Sequence, residues 1–175
     1  MSIHLVLGGA RSGKSSFAES LVLNKDRLNR HYVATATLTD NEMQQRIVHH
    51  QIRRDKSWKL HECPLNIAQL LSQFGQQDTV LVDCLTLWMS NVIFEDGKTA
   101  DEPAIKAHVT TLISALERCP ASVILVSNEV GLGIVPMGEV TRLFVDHAGW
   151  MNQAIAKVAD QVTFVAAGLP MKLKG

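Results

Sequence analysis

The residues best suited to chemistry in this 175-residue sequence stand at positions 8–15, which read GGARSGKS and fit the pattern G-x-x-x-x-G-K-S. An apolar run at residues 3–7 precedes them, and apolar residues recur at helical spacing behind them. This order predicts a strand, a P-loop and a helix. A glycine-rich turn that merely carries a lysine would fit the bare pattern, but the flanking elements favour a nucleoside-triphosphate site.

In a P-loop, backbone N–H groups and the start of the following helix surround phosphate oxygens. The residues predicted to bind a nucleotide in this way are Gly8, Gly9, Ala10, Arg11, Ser12, Gly13, Lys14 and Ser15. Lys14 would reach the β- and γ-phosphates, and Ser15 would offer its hydroxyl to a Mg²⁺ ion that arrives with the nucleotide. The predicted ligand is therefore a magnesium nucleotide.

Asp83 is the candidate for the second oxygen ligand of that ion. It ends an apolar run at residues 78–83, and the strand that supplies an acid near Mg²⁺ in P-loop enzymes has this form. Asp83 could also cap a helix that starts at Leu85, and the two roles are compatible.

A second strand is predicted at residues 31–37, where β-branched and aromatic residues gather. Thr35, Ala36 and Thr37 would lie at its exit. Ligands of open α/β sheets bind outside the carboxyl ends of the strands, so these three residues are candidates for nucleotide contacts. Threonines that simply start a turn would show the same spacing.

Two adjacent histidines, His49 and His50, fall on a helix predicted from a capping box at Thr39 and Glu42 to about Arg54. Neighbouring helical residues point about a third of a turn apart, so only one of the two readily faces a given site. A histidine here could be structural, a metal ligand, or a nucleophile or base. A metal is disfavoured because no second His or Cys stands at i+4.

The other predicted elements alternate in the manner of an α/β layered domain with a mainly parallel sheet. They are a strand at 58–62 that ends at Glu62, a helix from Pro64 to Leu71, a helix from Pro103 to about Arg118, a strand at 122–127, a helix at 139–159, and strands at 162–166 and 171–173 joined by a turn at 168–170. The length suits one domain over residues 1–175.

Composition excludes several other classes of protein. Hydrophobic residues make up 46% and charged residues 19%, as in ordinary globular chains. The formal net charge is +0 and the basic residues are scattered, which disfavours a nucleic-acid partner. No apolar run approaches a membrane span, and the first residues lack a secretion signal, so a cytoplasmic location is expected. The three cysteines Cys63, Cys84 and Cys119 form no zinc or disulfide pattern.

Over nearly its whole length the sequence resembles the bifunctional adenosylcobinamide kinase / adenosylcobinamide-phosphate guanylyltransferase family of cobalamin biosynthesis. The resemblance is carried by residues 8–15, 32–35, 40–43, 46–50, 83–84, 128–131, 134–136, 149 and 152–153. Members of that family commonly carry an arginine where this chain has Val145.

The resemblance implies a P-loop NTPase fold of RecA-like type, Mg²⁺ as cofactor and two reactions. ATP or GTP first phosphorylates adenosylcobinamide; GTP then transfers GMP through a guanylyl-histidine to give adenosylcobinamide-GDP. It implies His50 as the guanylylated residue, guanine contacts from Gln51, Ile52, Arg53, Arg54 and Glu62, and a homotrimer. A P-loop kinase for another small metabolite is the alternative, and a nucleotide-driven switch is a third possibility that the neutral charge does not support.

Overall fold

The computed structural model describes residues 1–25, 28–36 and 57–175. Within them the chain forms seven strands and five α-helices. In chain order these are β1 (Ser2–Gly8), α1 (Lys14–Leu23), β2 (Asn29–Ala34), β3 (Trp58–Glu62), α2 (Ile67–Leu71), β4 (Asp78–Asp83), α3 (Leu85–Ile93), a 3₁₀ turn (Glu95–Gly97), α4 (Glu102–Arg118), β5 (Ser122–Asn128), α5 (Glu139–Val158), β6 (Gln161–Ala166) and β7 (Leu169–Lys174).

The seven strands form one sheet in the order β3-β2-β4-β5-β1-β6-β7. Strands β1 to β6 run parallel, and β7 pairs with β6 in the antiparallel sense. The α/β architecture with a mainly parallel sheet is therefore confirmed. Ala34 lies opposite both Glu62 and Asp83, and Gly8 lies opposite Asn128, so the carboxyl ends of these strands share one edge.

Alternation along the strands divides the core between the two faces of the sheet. One face packs Leu5, Val82 and Leu125 against helices that include Trp88, Leu112 and Ile155. The other face packs a smaller set against α1, namely Val6, Leu81 and Ile124 with Ala18 and Val22. Both faces are apolar, which explains why the central strands read as continuous hydrophobic runs in the sequence.

Several predicted boundaries are wrong, among them the start of β2, which is Asn29 rather than His31. β2 ends at Ala34 rather than at residue 37, because the chain leaves the ladder there. α2 begins at Ile67, three residues after Pro64, because the Ile67 N–H bonds to the Leu65 carbonyl in a tight turn first. The β6–β7 turn consists of Ala167 and Gly168, not residues 168–170.

The β6–β7 turn places both of its residues in the left-handed region, with φ of 52° for Ala167 and 79° for Gly168. That geometry matches the twist of a two-residue hairpin. Pro170 can then join β7, because an edge strand leaves room for a residue without an N–H group.

The helix predicted from Thr39 to Arg54 lies outside the described residues, as do His49, His50 and Thr37. No helix among the described residues is long and apolar enough to cross a membrane.

Candidate nucleotide site

The P-loop joins β1 to α1 and is shaped by close backbone approaches. A Cβ on Gly8 would lie 2.5 Å from the Val165 carbonyl oxygen and 2.6 Å from Ser12 Oγ, so no larger residue fits without movement. Gly13 adopts φ of 93° at the N-cap of α1, and Arg11 adopts φ of 55°. The loop closes with a hydrogen bond of 3.3 Å from the Ser12 N–H to the Gly9 carbonyl. This curled backbone in front of a helix is the form that surrounds phosphates.

Lys14 lies across this loop. Its Nζ donates to the Gly9 carbonyl over 3.0 Å, and the residue is buried. Burial lowers the pKa of the Lys14 ammonium from its ordinary value, while Asp83, and to a smaller extent Cys84, oppose that shift. The lysine is thus a partly desolvated cation that interacts with the acid at the end of β4, which suits it to bind phosphate oxygens.

Asp83 is half-buried at the end of β4, and its Oδ2 accepts a hydrogen bond of 3.1 Å from the Tyr32 hydroxyl. It does not cap α3, because the N-cap residue is Cys84 and no side chain bonds there. Ser15 stands half-buried in the first turn of α1. A hydroxyl and a carboxylate are hard oxygen ligands of the kind that Mg²⁺ prefers when phosphates complete its shell.

These ligands would hold a metal only together with a nucleotide. Among the described residues no group of three or more His, Cys, Asp and Glu side chains could hold a metal ion by itself. Mg²⁺ commonly takes one or two protein ligands plus substrate phosphates. The residues present therefore fit a magnesium ion that arrives as part of a magnesium nucleotide.

Thr35 holds the exits of β2 and β4 together. Its hydroxyl donates to the Cys84 carbonyl over 2.7 Å and accepts from the Cys84 N–H over 2.9 Å, and the residue is fully buried. A contact between this hydroxyl and a nucleotide would require that pair of bonds to break. Thr35 therefore stabilises the strand exits beside the site through these two bonds. Ala36, the next residue, is half-buried.

Cys84 follows Asp83 but is unsuited to act as a nucleophile. Burial, with a further contribution from Asp83, raises the pKa of its thiol to about 11. A thiol with that pKa carries almost no thiolate at neutral pH, and the thiolate is the reactive form.

Glu62 is exposed at the end of β3, the outermost strand on the side remote from β6 and β7. Glu62, Asp83 and the P-loop all lie where strands β3, β4 and β1 reach their carboxyl ends, and these ends share one edge of the sheet. The predicted guanine contacts Gln51, Ile52, Arg53 and Arg54 lie outside the described residues.

The loop after β5 is tied to the P-loop. The Glu129 N–H donates to the Gly8 carbonyl over 3.0 Å, and the Glu129 carboxylate accepts from the Gly131 N–H over 2.7 Å. The Asn128 N–H donates to Thr86 Oγ1 over 2.7 Å. Beyond these bonds Ile134 and Met137 expose 98% and 94% of their surfaces.

Sequence reasoning missed two supporting residues. Asn91 in α3 donates through Nδ2 to the carbonyls of Thr35, at 2.8 Å, and Pro64, at 3.0 Å, which joins two strand exits. Gly168 donates its N–H to the Ser12 carbonyl over 2.8 Å. An amide side chain in a mainly apolar helix was the available signal for Asn91. The glycine in the hairpin carried no signal of its contact with the P-loop.

The parallel sheet, the curled loop and the buried lysine define a P-loop protein that binds nucleoside triphosphates. The family described as cobinamide kinase / cobinamide phosphate guanyltransferase matches residues 4–173. The chain belongs to this family. Membership makes it an enzyme, a bifunctional kinase and guanylyltransferase.

Individual relatives agree with this assignment. The bifunctional adenosylcobalamin biosynthesis protein CobP of Pseudomonas aeruginosa is 47% identical over 172 residues, which cover 98% of this chain and 96% of that protein. CobU of Escherichia coli, which bears the same description, is 39% identical over 180 residues, with 97% and 98% covered. The type III secretion ATPase EscN of enteropathogenic E. coli shares the fold alone: its TM-score is 0.62 at 9% identity, over 95% of this chain and 43% of EscN.

Proposed function

We propose that the chain carries out two consecutive transfers at the carboxyl edge of its sheet. In the first, the acceptor hydroxyl of adenosylcobinamide takes the γ-phosphoryl group of ATP or GTP and loses its proton, and the nucleoside diphosphate leaves. In the second, a histidine nitrogen takes GMP from GTP and pyrophosphate leaves. The phosphate of the phosphorylated cobinamide then takes GMP from the histidine and gives adenosylcobinamide-GDP.

The observation that supports this proposal best is the arrangement of the edge itself. From β1 to β3 the strand exits carry the P-loop, the β5 loop, Asp83, Ala36 and Glu62 in that order. Four strand spacings of about 4.8 Å separate β1 from β3, which makes roughly 19 Å. An extended GTP can span such a distance with its phosphates at the P-loop and its guanine near Glu62.

Phosphoryl transfer requires positioning and charge neutralisation more than covalent help from the protein. We assign these tasks to the P-loop N–H groups and to Lys14, whose burial strengthens its interaction with phosphate. Ser15 and Asp83 would hold the Mg²⁺ ion of the nucleotide. That ion supplies Lewis-acid stabilisation of the charge on the phosphates.

We propose His50 as the residue that becomes guanylylated. A nucleophile for this step must be largely unprotonated near pH 7, and histidine, with an ordinary pKa of about 6.5, meets that requirement. The thiol of Cys84, next to Asp83, does not, because its pKa is raised to about 11. Gln51, Ile52, Arg53, Arg54 and Glu62 are the proposed guanine contacts. A carboxylate at Glu62 can accept from the N–H groups that guanine has and adenine lacks.

We further propose one catalytic domain over residues 1–175, a homotrimer and a cytoplasmic location. One sheet contains all seven described strands, which supports a single domain. Exposed apolar residues on the β5 loop support contact with further copies, since monomers rarely expose such groups together. Cys63, Cys84 and Cys119 are free thiols, which suits a reducing compartment.

The test uses GTP labelled at the α-phosphate, Mg²⁺ and purified enzyme, followed by denaturation. Label should stay attached through an acid-labile, base-stable bond, and His50→Ala should lose it while His49→Ala keeps it. Lys14→Ala should abolish phosphorylation of adenosylcobinamide by ATP. Label lost only in His49→Ala would move the nucleophile by one residue. An unlabelled wild type that still phosphorylates a substrate would leave a monofunctional P-loop kinase and overturn the bifunctional proposal.

A further inference from the structure

Strand β3 lies outermost on its side of the sheet and pairs only with β2 among the described strands. Three of its five side chains are exposed, and Trp58 and His61 are half-buried. Trp58 lies edge-on to Tyr32 on the face that α1 covers. His61 lies on the opposite face, where Phe74 packs against it with ring centroids 5.5 Å apart. The side chain through which β3 packs on this second face is thus a histidine.

His61 belongs to a hydrogen-bonded network that crosses three strands. Its Nε2 lies 2.9 Å from Nδ1 of His31 on β2, and Nε2 of His31 donates to Oδ1 of Asp78 on β4 over 3.3 Å. The carboxylate is held in turn by the Asn29 side chain, at 2.8 Å, and by the Gly75 N–H, at 2.7 Å. His31 is buried, and its ring stacks on that of His61 with centroids 5.2 Å apart. The network therefore connects β3 to both β2 and β4.

The bond between the two rings exists only while a single proton lies between them. An ionised carboxylate accepts and never donates, so Nε2 of His31 carries a proton toward Asp78. If His31 is neutral, its Nδ1 accepts from the Nε2–H of His61; if His31 is an imidazolium, its Nδ1–H donates to His61. The network thus accommodates one positive charge beside the acid. A second proton would bring two N–H groups and two cations face to face and break the bond.

The charged groups around His61 oppose that second proton. Burial lowers the pKa of its imidazole, and His31 on β2 and Lys59 on β3 act in the same direction. Asp78 on β4 contacts the other ring: burial acts to raise the pKa of this carboxyl, but the hydrogen bonds that it accepts lower it below its ordinary value. Phe74, in the segment before β4, carries no charge. These surroundings keep the acid ionised beside His31 and favour a neutral His61.

Glu62, the proposed guanine contact, directly follows His61 in β3. It lies opposite Ala34, the last residue of β2, and the next N–H, that of Cys63, donates to the Ala34 carbonyl over 2.8 Å. The position of the Glu62 carboxylate therefore depends on how firmly β3 is held against β2 at this point.

We propose that His61 and His31 are positioning residues for guanine: their bond holds β3 against β2 and so places Glu62, and a second proton on the pair loosens the strand. The proposal rests on the proposed function, in which Glu62 contacts guanine, and deepens it by naming a pair that controls base specificity. The folded pKa of His61 lies below the unfolded value of about 6.5. The bond is therefore present above about pH 6.5 and is lost as the pH falls through the lower, folded value.

Hydrogen exchange tests the structural part of the proposal. Protection of the β3 N–H groups, corrected for the intrinsic exchange rate, is compared at pH 7.5 and pH 5 with β5 as internal reference. In the wild type the protection of β3 relative to β5 should fall by about fivefold to tenfold at pH 5, as expected when one hydrogen bond is lost. His61→Gln should keep its protection, because the glutamine amide can take the place of Nε2 and does not titrate.

His4→Gln is the matched control for that experiment. His4 is also a half-buried histidine on a strand, its Nε2 lies 2.8 Å from Thr163 Oγ1, and burial lowers the pKa of its ring. Because it lies on β1, its replacement should leave the wild-type fall in β3 protection unchanged.

Nucleotide binding tests the functional part. The dissociation constants of non-hydrolysable GTP and ATP analogues are measured at both pH values, and their ratio gives the guanine preference, since effects on the shared triphosphate cancel. The wild-type preference should fall by about fivefold or more at pH 5. His61→Gln should keep its preference, whereas His61→Ala, which lacks the bond at any pH, should have a reduced preference already at pH 7.5. The melting temperature of His61→Ala shows whether that chain is folded.

Two exchange results would overturn the proposal: relative protection of β3 that is independent of pH in the wild type, or an equal fall in the wild type and His61→Gln. Loosening of β3 without any change in guanine preference would overturn the positioning role. Glu62→Gln then identifies the cause. An unchanged guanine preference in that variant would place the failure in the guanine contact of the proposed function, and a lost preference would place it in the histidine pair.

Discussion

The hydroxyl of Tyr32 donates a hydrogen bond to Oδ2 of Asp83 across 3.1 Å. The two residues lie on the adjacent strands β2 and β4, and the Tyr32 ring is buried edge-on against Trp58 with centroids 6.3 Å apart. The tyrosine therefore fixes one oxygen of the carboxylate, and the proposed magnesium contact falls to the other. The orientation of this acid depends on a residue that does not itself need to touch the nucleotide.

Tyr32→Phe should leave the Asp83 carboxylate less firmly oriented and so weaken Mg²⁺ binding in the kinase step. The phenyl ring keeps the contact with Trp58, but the carboxylate loses one donor, whose net worth is about 1 kcal/mol. The Mg²⁺ concentration needed for half-maximal kinase activity should rise about threefold to tenfold, as this energy allows. A magnesium titration at saturating ATP measures it, with Asp83→Asn as the more severe comparison. An unchanged titration curve in Tyr32→Phe would show that the bond does not orient the acid.

Thr35→Val should destabilise the fold far more than Thr79→Val, which is the same change on the neighbouring strand β4. The valine leaves the buried Cys84 N–H without its acceptor and removes one of two donors from the Cys84 carbonyl, which keeps the bond from the Trp88 N–H, at a cost of about 2 kcal/mol in the free energy of unfolding. Thr79 is a matched control, because it is equally buried and its hydroxyl has no hydrogen-bond partner. Urea unfolding should therefore place Thr79→Val at or above the wild type. Equal losses in the two variants would contradict the proposed bridge.

Local patterns were sufficient to predict much of this fold. β3 and β4 have the predicted bounds, and α4 has Pro103 in its first turn, as predicted. The P-loop residues also fall where the motif requires, because a strand, a turn and a helix that follow one another need no distant information.

Relationships between distant residues could not be predicted in this way. The contact of Gly168 with Ser12 joins residues that are 156 positions apart, and it depends on β6 pairing with β1. The hydroxyl of Thr35 was expected to face a ligand, but pairing of β2 with β4 brings the Cys84 backbone to it first. Strand order decides both contacts, and no local sequence pattern specifies it.

His147 should make the protein less stable in mild acid. It is buried in α5, its ring lies edge-on to Trp150 at 5.0 Å, and its Nε2 has no hydrogen-bond partner. Burial lowers the pKa of this imidazole, and Lys106 contributes in the same direction, while Glu102 and Asp146 oppose the shift. The folded pKa thus lies below the unfolded value of about 6.5. The unfolded chain binds the proton first, so this stability is present above about pH 6.5 and is lost as the pH falls below it.

The measurement is the free energy of unfolding between pH 8 and pH 5. His147→Phe should reduce the loss of stability on acidification, because one group that binds a proton only on unfolding has been removed. The loss should not vanish, since burial also lowers the pKa values of His4 and His61. His108→Gln is the control, as this side chain is exposed beside Glu95 on the surface. An identical slope in His147→Phe and the wild type would show that His147 is not a source of the acid sensitivity.

Gly8→Ala and Gly9→Ala should differ sharply although the glycines are neighbours in the same motif. The new methyl group at position 8 would lie 2.5 Å from the Val165 carbonyl oxygen, and backbone cannot yield as a flexible side chain can. At position 9 a methyl group would meet nothing within 4 Å. Gly8→Ala must therefore push β1 from β6 or distort the loop, and either movement misplaces the N–H groups that surround phosphate.

Calorimetric titration with GTP and Mg²⁺ should show a loss of at least about tenfold in affinity for Gly8→Ala, corresponding to about 1.4 kcal/mol or more. Gly9→Ala should stay within about threefold of the wild type, which is less than 1 kcal/mol. Melting temperatures of both variants separate a distorted site from an unfolded protein. If Gly9→Ala lost affinity as severely as Gly8→Ala, the new methyl group would have to collide with the nucleotide, since no protein atom lies within 4 Å of it. Gly9 would then be required because a side chain at this position blocks the nucleotide. If neither variant lost affinity, the P-loop would not be the nucleotide site at all. The pair of substitutions therefore tests the location of the phosphates and the reason for the first glycine together.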